Sequence, residues 1–428
     1  MRARRKIAAA VALVVAGGAA ATATMAAATA TAWAAPVSEL SVAAGVDSAY
    51  DGNVFNGRGP DYVNRISPQA SWRLRDPRVV VDTSYLLGYW TYALGKAENS
   101  LNHRAQLAID TKLSRRVTLQ LVDELVRAED PGFLSRTGVV APQIGITQNF
   151  SEALVGVALA HRLYGIARYR LTFATFDRYT AEEAARGLPP LYDGAEHDAT
   201  MGLSYRVTRL DTLNVGARFQ HFSAGPQHES IAAFAVANTY TPTVGWEHRF
   251  LPTLVAGLEA GPLVYQALDG ANAIPRAPKE SGVTWRMAAR VRYTTPSWWA
   301  MLSYNRDLLG ATGAGSALWA DHVYGQVGYL LAGRLDAHAG AGYFRNGIAV
   351  NQEFSYQGVT ADVLVDWRVI RYLHLGAYYT VRYQLVGPGA VAPGMEAGAF
   401  PAVTRQVVGV RLLAVLGANA RPVRRAAP

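Results

Sequence analysis

Arginine is the residue with most chemical capacity in this chain, and it recurs at alternate positions. Arg168 and Arg170 stand two apart, and Arg286, Arg290 and Arg292 keep one parity over a single segment. Arg218, Arg382 and Arg411 sit in other segments where apolar and polar residues alternate. Residues two apart share one face of a β-strand. A wall of guanidinium groups raises the local concentration of anions, acidic sugars included. The plainer use of the same arginines is pairing with acids on their own face, such as Asp336 and Glu247, which stabilises the wall. Tyr372, Tyr378 and His374 share parity with Arg382. Those rings could stack on sugars, or fill space and hydrogen-bond.

Other chemistry has less support. His338 follows Asp336 by two positions, and His374 stands on a later segment, but both lie close to tight turns. Catalytic barrels carry their triads near the outer rim, so no enzymatic activity is expected. The nine histidines show no ligand spacing and there is no cysteine, so neither a metal, a cofactor nor a disulfide is implied. Glycine-rich 310–315 lacks the strand–loop–helix context of a phosphate cradle.

The elements that carry these residues are long alternating segments. In 371–385, Leu373, Leu375, Ala377, Tyr379, Val381, Tyr383 and Leu385 oppose Tyr372, His374, Gly376, Tyr378, Thr380, Arg382 and Gln384. In 283–293, Val283, Trp285, Met287, Ala289, Val291 and Tyr293 oppose Arg286, Arg290 and Arg292. Segments 167–173, 212–222 and the stretch after Arg334 repeat the pattern. One segment breaks phase: Val117–Leu121 alternates, then Asp123 and Glu124 follow in succession. A bulge or an exit from the membrane is the expected reason.

Eight turns, centred on Pro77, Arg115, Arg162, Arg209, Pro252, Pro296, Arg334 and Arg371, recur every 37 to 47 residues. Longer loop-forming stretches separate them, the longest at 51–60, 130–141, 180–194, 269–281 and 387–399. Thr180–Arg186 holds a possible helical turn. Short turns at one end and long loops at the other predict an all-β, antiparallel, up-and-down transmembrane barrel of about eighteen strands in a single domain. The strands run from 38–50 to 400–416. A propeller would need four short strands per repeat, whereas each repeat here holds two long ones.

Composition agrees. Half the residues are hydrophobic, only 17% are charged, and Tyr (22) and Trp (9) together outnumber Phe (12). Rings with a polar edge suit membrane boundaries. Arg2, Arg4, Arg5 and Lys6 precede apolar 7–23, and Ala32-Trp33-Ala34 offers a cleavage site, so 1–34 reads as an export signal. Residues 35–416 then form the barrel and 417–428 a basic tail, expected to be disordered. No later stretch is long and apolar enough for a transmembrane helix. The net charge of +9 is dispersed rather than clustered, which argues against nucleic acid.

Asp47–Phe55 (DSAYDGNVF), followed by Arg65-Ile66-Ser67-Pro68, resembles the opening of the β-barrel porin 2 family, with a second strand entered near Ser-Pro. The resemblance implies an outer-membrane pore inserted by the barrel-assembly machinery among lipid and lipopolysaccharide. It also suggests export of polysaccharide made by flippase–polymerase pathways, with a periplasmic export protein as partner. A diffusion porin for small, possibly anionic solutes is the alternative.

Overall fold

The computed structural model describes residues 37–54, 59–129, 144–177, 192–226, 235–268, 281–309, 318–348, 355–386 and 403–417. The export signal, the basic tail, the 310–315 glycines and the helical turn of 180–186 lie outside them. Eighteen strands follow one another, the first six being β1 (Val37–Asp51), β2 (Asp61–Arg75), β3 (Val79–Tyr92), β4 (Ser100–Lys112), β5 (Val117–Ala128) and β6 (Ile146–Ala160). Next come β7 (Leu163–Phe176), β8 (Tyr192–Arg206), β9 (Asp211–Pro226), β10 (Ala235–Leu251), β11 (Leu254–Leu268) and β12 (Gly282–Thr294). The last six are β13 (Trp298–Leu309), β14 (Leu318–Leu331), β15 (Leu335–Ile348), β16 (Ser355–Ile370), β17 (Leu373–Val386) and β18 (Val403–Gly417).

Every strand pairs antiparallel with its sequence neighbours, and β1 pairs with β18 as well as β2. The sheet therefore closes, which leaves no unpaired edge. The eight expected turns all fall in short connections at one end of the barrel. In the turn before Arg334, Ala332 and Gly333 both take positive φ (48° and 65°), the mirror-image geometry that matches strand twist in tight hairpins.

Contacts between non-adjacent strands show which face is concave. Arg218 of β9 reaches Asp307 of β13 at 2.6 Å, past three intervening strands. Tyr378 of β17 reaches Asp47 of β1 at 2.6 Å, past β18. Only inward side chains can meet this way. Register then assigns every residue of like parity to the inside, and the opposite set to the outside. The outer set is apolar and exposed, as at Val283 (72%), Met201 (68%) and Trp285 (65%). Such a surface is at home in hydrocarbon, not water.

One ladder in the wall is interrupted. Pairing of β10 with β11 lapses between Tyr240 and Val244, where Pro242 supplies no N–H. A Cβ on Gly261 would overlap the Pro242 carbonyl, so only glycine permits this approach.

Three expectations need correction. Strand β17 begins at Leu373, so Arg371 and Tyr372 form the turn itself. Asp123 and Glu124 mark no bulge: Asp123 pairs with Ser151 and Glu124 with Phe150 in unbroken register, which leaves the strand's exit from the membrane as the expected reason for the phase break. Ser67 and Pro68 lie in the middle of β2 rather than at its entry.

Candidate functional site: the inner wall

The inner arginines are held mainly by acids from neighbouring strands. Arg170 binds Glu152 at 3.0 Å, with its guanidinium over Phe150. Arg168 donates to Thr200 at 3.2 Å and stands 3.9 Å from Asp198. Arg218 is buried, and its two terminal nitrogens donate to Asp198 at 2.8 Å and Asp307 at 2.6 Å. Arg286 pairs with Glu259 and approaches Asp307 at 3.6 Å. Arg168, Arg218, Arg286 and their acids thus form a continuous network from β7 to β13. Low dielectric strengthens the buried links of Arg218 to Asp198 and Asp307, which would be costly to break singly.

A second group joins β16 through β3 across the closure. Asp366 accepts from Arg411 at 2.6 Å and is bonded to Nδ1 of His374 at 2.9 Å. Tyr378 donates to Asp47 and accepts from Arg65 at 3.3 Å, while Arg65 covers the Trp90 ring at 4.4 Å. Large inner side chains, here and on β13 and β14, lie over glycines of an adjacent strand. Trp299 lies on Gly328, Tyr324 on Gly340, Tyr378 on Gly409 and Arg411 on Gly376. A Cβ at any of these glycines would displace the group above it.

The predicted residues therefore divide. Arg168, Arg218 and Arg286 meet, as do His374 and Arg411, whereas Tyr372 sits apart under Arg371, whose guanidinium lies 5.2 Å from its ring. Arg382 stands on the inner face in register with Arg405 of β18. Of the two acids expected as partners, Glu247 does pair with Arg290, at 3.5 Å and about half exposed. Asp336 forms no ion pair among the described residues. It faces Asp366 in register, and Asp366 takes the histidine and the arginine instead. His338 packs 6.5 Å from Trp299. Nε2 of His374 is buried without a hydrogen-bond partner, so among the described residues no nucleophile is aligned on the Asp366–His374 pair. No group of three or more potential metal ligands occurs among the described residues.

Two residues missed in the sequence complete the picture at the short-turn end. Arg249 of β10 and Arg292 of β12 flank Val255 of β11 in register, on the inner parity. Arg206 of β8 shares that face, over the Tyr164 ring at 6.0 Å. Among the described residues none of the three forms an ion pair. Parity alone would place Arg206 and Arg249 inside.

No known protein-family profile matches the chain, and no curated protein matches its sequence. The β-barrel porin 2 resemblance therefore stands on its short motifs. Solved structures of similar fold do exist. The FrpB iron transporter of Neisseria meningitidis has a TM-score of 0.47 and 11% identity over 88% of this chain and 81% of that one. The outer membrane protein opdK of Pseudomonas aeruginosa gives 0.44 and 12%, over 89% of this chain and 99% of that one. OccK2 (OpdF) of Pseudomonas aeruginosa, solved with glucuronate, gives 0.44 and 11% over 89% and 98%. What these barrels and this chain share is architecture.

Proposed function

We propose that this chain is an outer-membrane pore for small polar solutes, with a preference for anions. The observation that carries the proposal is the inner cluster Arg206, Arg249 and Arg292, whose charge no acid among the described residues pairs. Short turns mark the periplasmic end of such barrels, so the cluster lies on one side of the periplasmic mouth. Unpaired cations on a low-dielectric wall raise the local anion concentration, within a Debye length of about 8 Å at physiological salt. The deeper arginines hold the wall together, and their charge is largely spent on Asp198, Asp307, Glu259 and Glu152.

Polysaccharide export, the reading implied by the family resemblance, has less behind it. A sliding glycan would use open aromatic faces. The inner Trp299, Tyr324 and Tyr378 instead lie on glycines, and the two tyrosines are hydrogen-bonded as well. The Arg218–Asp307 strut also joins β9 to β13 inside the barrel. Delivery after signal cleavage and insertion by the barrel-assembly machinery belong to the same proposal.

Arg249→Glu with Arg292→Glu tests it better than reversing Arg286, which the network needs. In planar bilayers under a salt gradient, the reversal potential should move toward cation preference with the open conductance retained. An open channel whose reversal potential stays put sinks the proposal.

A further inference from the structure

Register sorts the strand residues into an inner and an outer set, and the outer set carries three arginines: Arg127, Arg306 and Arg345. Arg127 of β5 pairs with Asp177 and shares its outer row with Asp123, which accepts from Ser151 at 2.6 Å and from Asn149 at 3.1 Å. Acids outnumber the cation there. The other two arginines are differently placed. Arg306 of β13 and Arg345 of β15 flank one residue of β14, Asp321, from opposite sides. Asp321 turns to Arg306 at 3.3 Å and accepts from the Tyr304 hydroxyl at 2.9 Å. Arg345 is exposed and forms no ion pair among the described residues. Beside it, Tyr343 donates to the Gln357 carbonyl of β16 at 2.9 Å, which leaves the Gln357 amide N–H groups to donate outward. Two guanidiniums against one carboxylate leave this patch net positive.

Height decides what this patch meets. The outer rows of β14 and β15 end at the short turn with Leu331 and Leu335. Asp321 and Arg345 stand five outer positions up those rows, and every outer residue between is uncharged. In a strand tilted by about 40° each residue climbs roughly 2.5 Å, which puts both about 25 Å up, at the top of the hydrocarbon band. A cation on the lipid face is costly at the bilayer centre and cheap at its boundary. The tyrosines just below, Tyr304 and Tyr343, also suit that boundary. Beneath the patch, an open groove of about 450 Å³ runs along the outer face, lined by Val291, Ala300, Leu302, Gly325, Val327 and Ala341. Its upper row, Leu302, Gly325 and Ala341, lies two outer positions below Arg306, Asp321 and Arg345 in the same register.

Resting on the membrane-pore reading above, we propose that this face binds a phosphorylated glycolipid of the outer leaflet. Its phosphate meets Arg345 and Arg306, and one acyl chain lies in the groove. Cations above an apolar groove repeat the order of a lipid's head and tail. A phosphate monoester carries about 1.5 to 2 negative charges near pH 7 and accepts guanidinium hydrogen bonds in pairs, so the charge is complementary. The short turns mark the periplasmic side, so the leaflet at this height is the external one. Asp321 as acceptor and Gln357 as donor match the hydroxyls of a sugar that bears the phosphate.

Native mass spectrometry of the detergent-purified barrel, titrated with diphosphoryl lipid A, tests this. The wild type should retain lipid A in preference to phosphatidylglycerol. Arg345→Gln removes an exposed, unpaired side chain and should weaken retention about tenfold, the worth of a charge-assisted hydrogen bond. Ala341→Phe, which fills the groove, should weaken it too, whereas Arg127→Gln should leave it unchanged. Unchanged retention in Arg345→Gln or Ala341→Phe, or an equal loss in Arg127→Gln, would overturn the inference. Binding of phosphatidylglycerol, or of lipid A stripped of its phosphates, as tight as that of diphosphoryl lipid A would overturn it as well. Insertion of the barrel into lipid vesicles, read by heat-modifiable gel mobility, checks the premise separately. A barrel that does not insert overturns the pore reading, and this inference with it.

Discussion

Replacing Arg218 with methionine is the most direct test of how the inner wall is held. The side chain is 7% exposed and joins Asp198, which is fully buried, to Asp307 of β13. Removing one partner of a buried ion pair costs about 3–5 kcal/mol, because the remaining charge is left in low dielectric. Both orphaned acids keep some support, Asp198 from Arg168 at 3.9 Å and Asp307 from Arg286 at 3.6 Å. The lower end, about 3 kcal/mol, is therefore expected, a factor of about one hundred in the folding equilibrium. Reversible urea unfolding of the barrel in lipid vesicles measures it. The double variant Arg218→Met/Asp307→Leu should recover part of the loss, with a coupling of roughly 1–3 kcal/mol. A loss below about 1 kcal/mol for Arg218→Met, or no coupling in the double variant, would show that the strut is an exposed pair of little consequence.

Two smaller predictions concern backbone geometry. Gly261→Ala should destabilise the barrel by about 1–3 kcal/mol in the same unfolding assay, because the new methyl meets the Pro242 carbonyl. Gly257→Ala, whose Cβ would find its nearest neighbour at 3.7 Å, should stay within about 0.5 kcal/mol of wild type. In the turn before Arg334, Gly333→Val should cost about 1–2 kcal/mol by forcing a β-branched residue into positive φ, while Ala332→Gly should be tolerated. Thermal stability read by the gel mobility of folded and unfolded barrel would check both turn variants.

Much of this protein was legible in its sequence, for a physical reason. A membrane strand must alternate apolar and polar residues over its whole length, and Leu373–Leu385 against His374–Gln384 does so without a break. Turns such as Leu331–Leu335 must be short, so eight of them give the strand count. Parity alone also put Arg168, Arg218, Arg286 and Arg411 on the inner face. Alternation cannot state which residues meet across the bore, because those contacts join strands far apart in sequence. Arg218 with Asp307 is such a case, joining β9 to β13. Nor can it tell a paired arginine from an unpaired one. Arg286 looked as available as Arg292 until register placed Glu259 and Asp307 beside the first and no acid beside the second. The same holds for Asp123: in the sequence it was a fault in the pattern, and register made it an outward carboxylate with Asn149 and Ser151 for partners. Period and turn length are local and were carried by the chain itself, whereas curvature and cross-bore pairing arise only once the sheet closes.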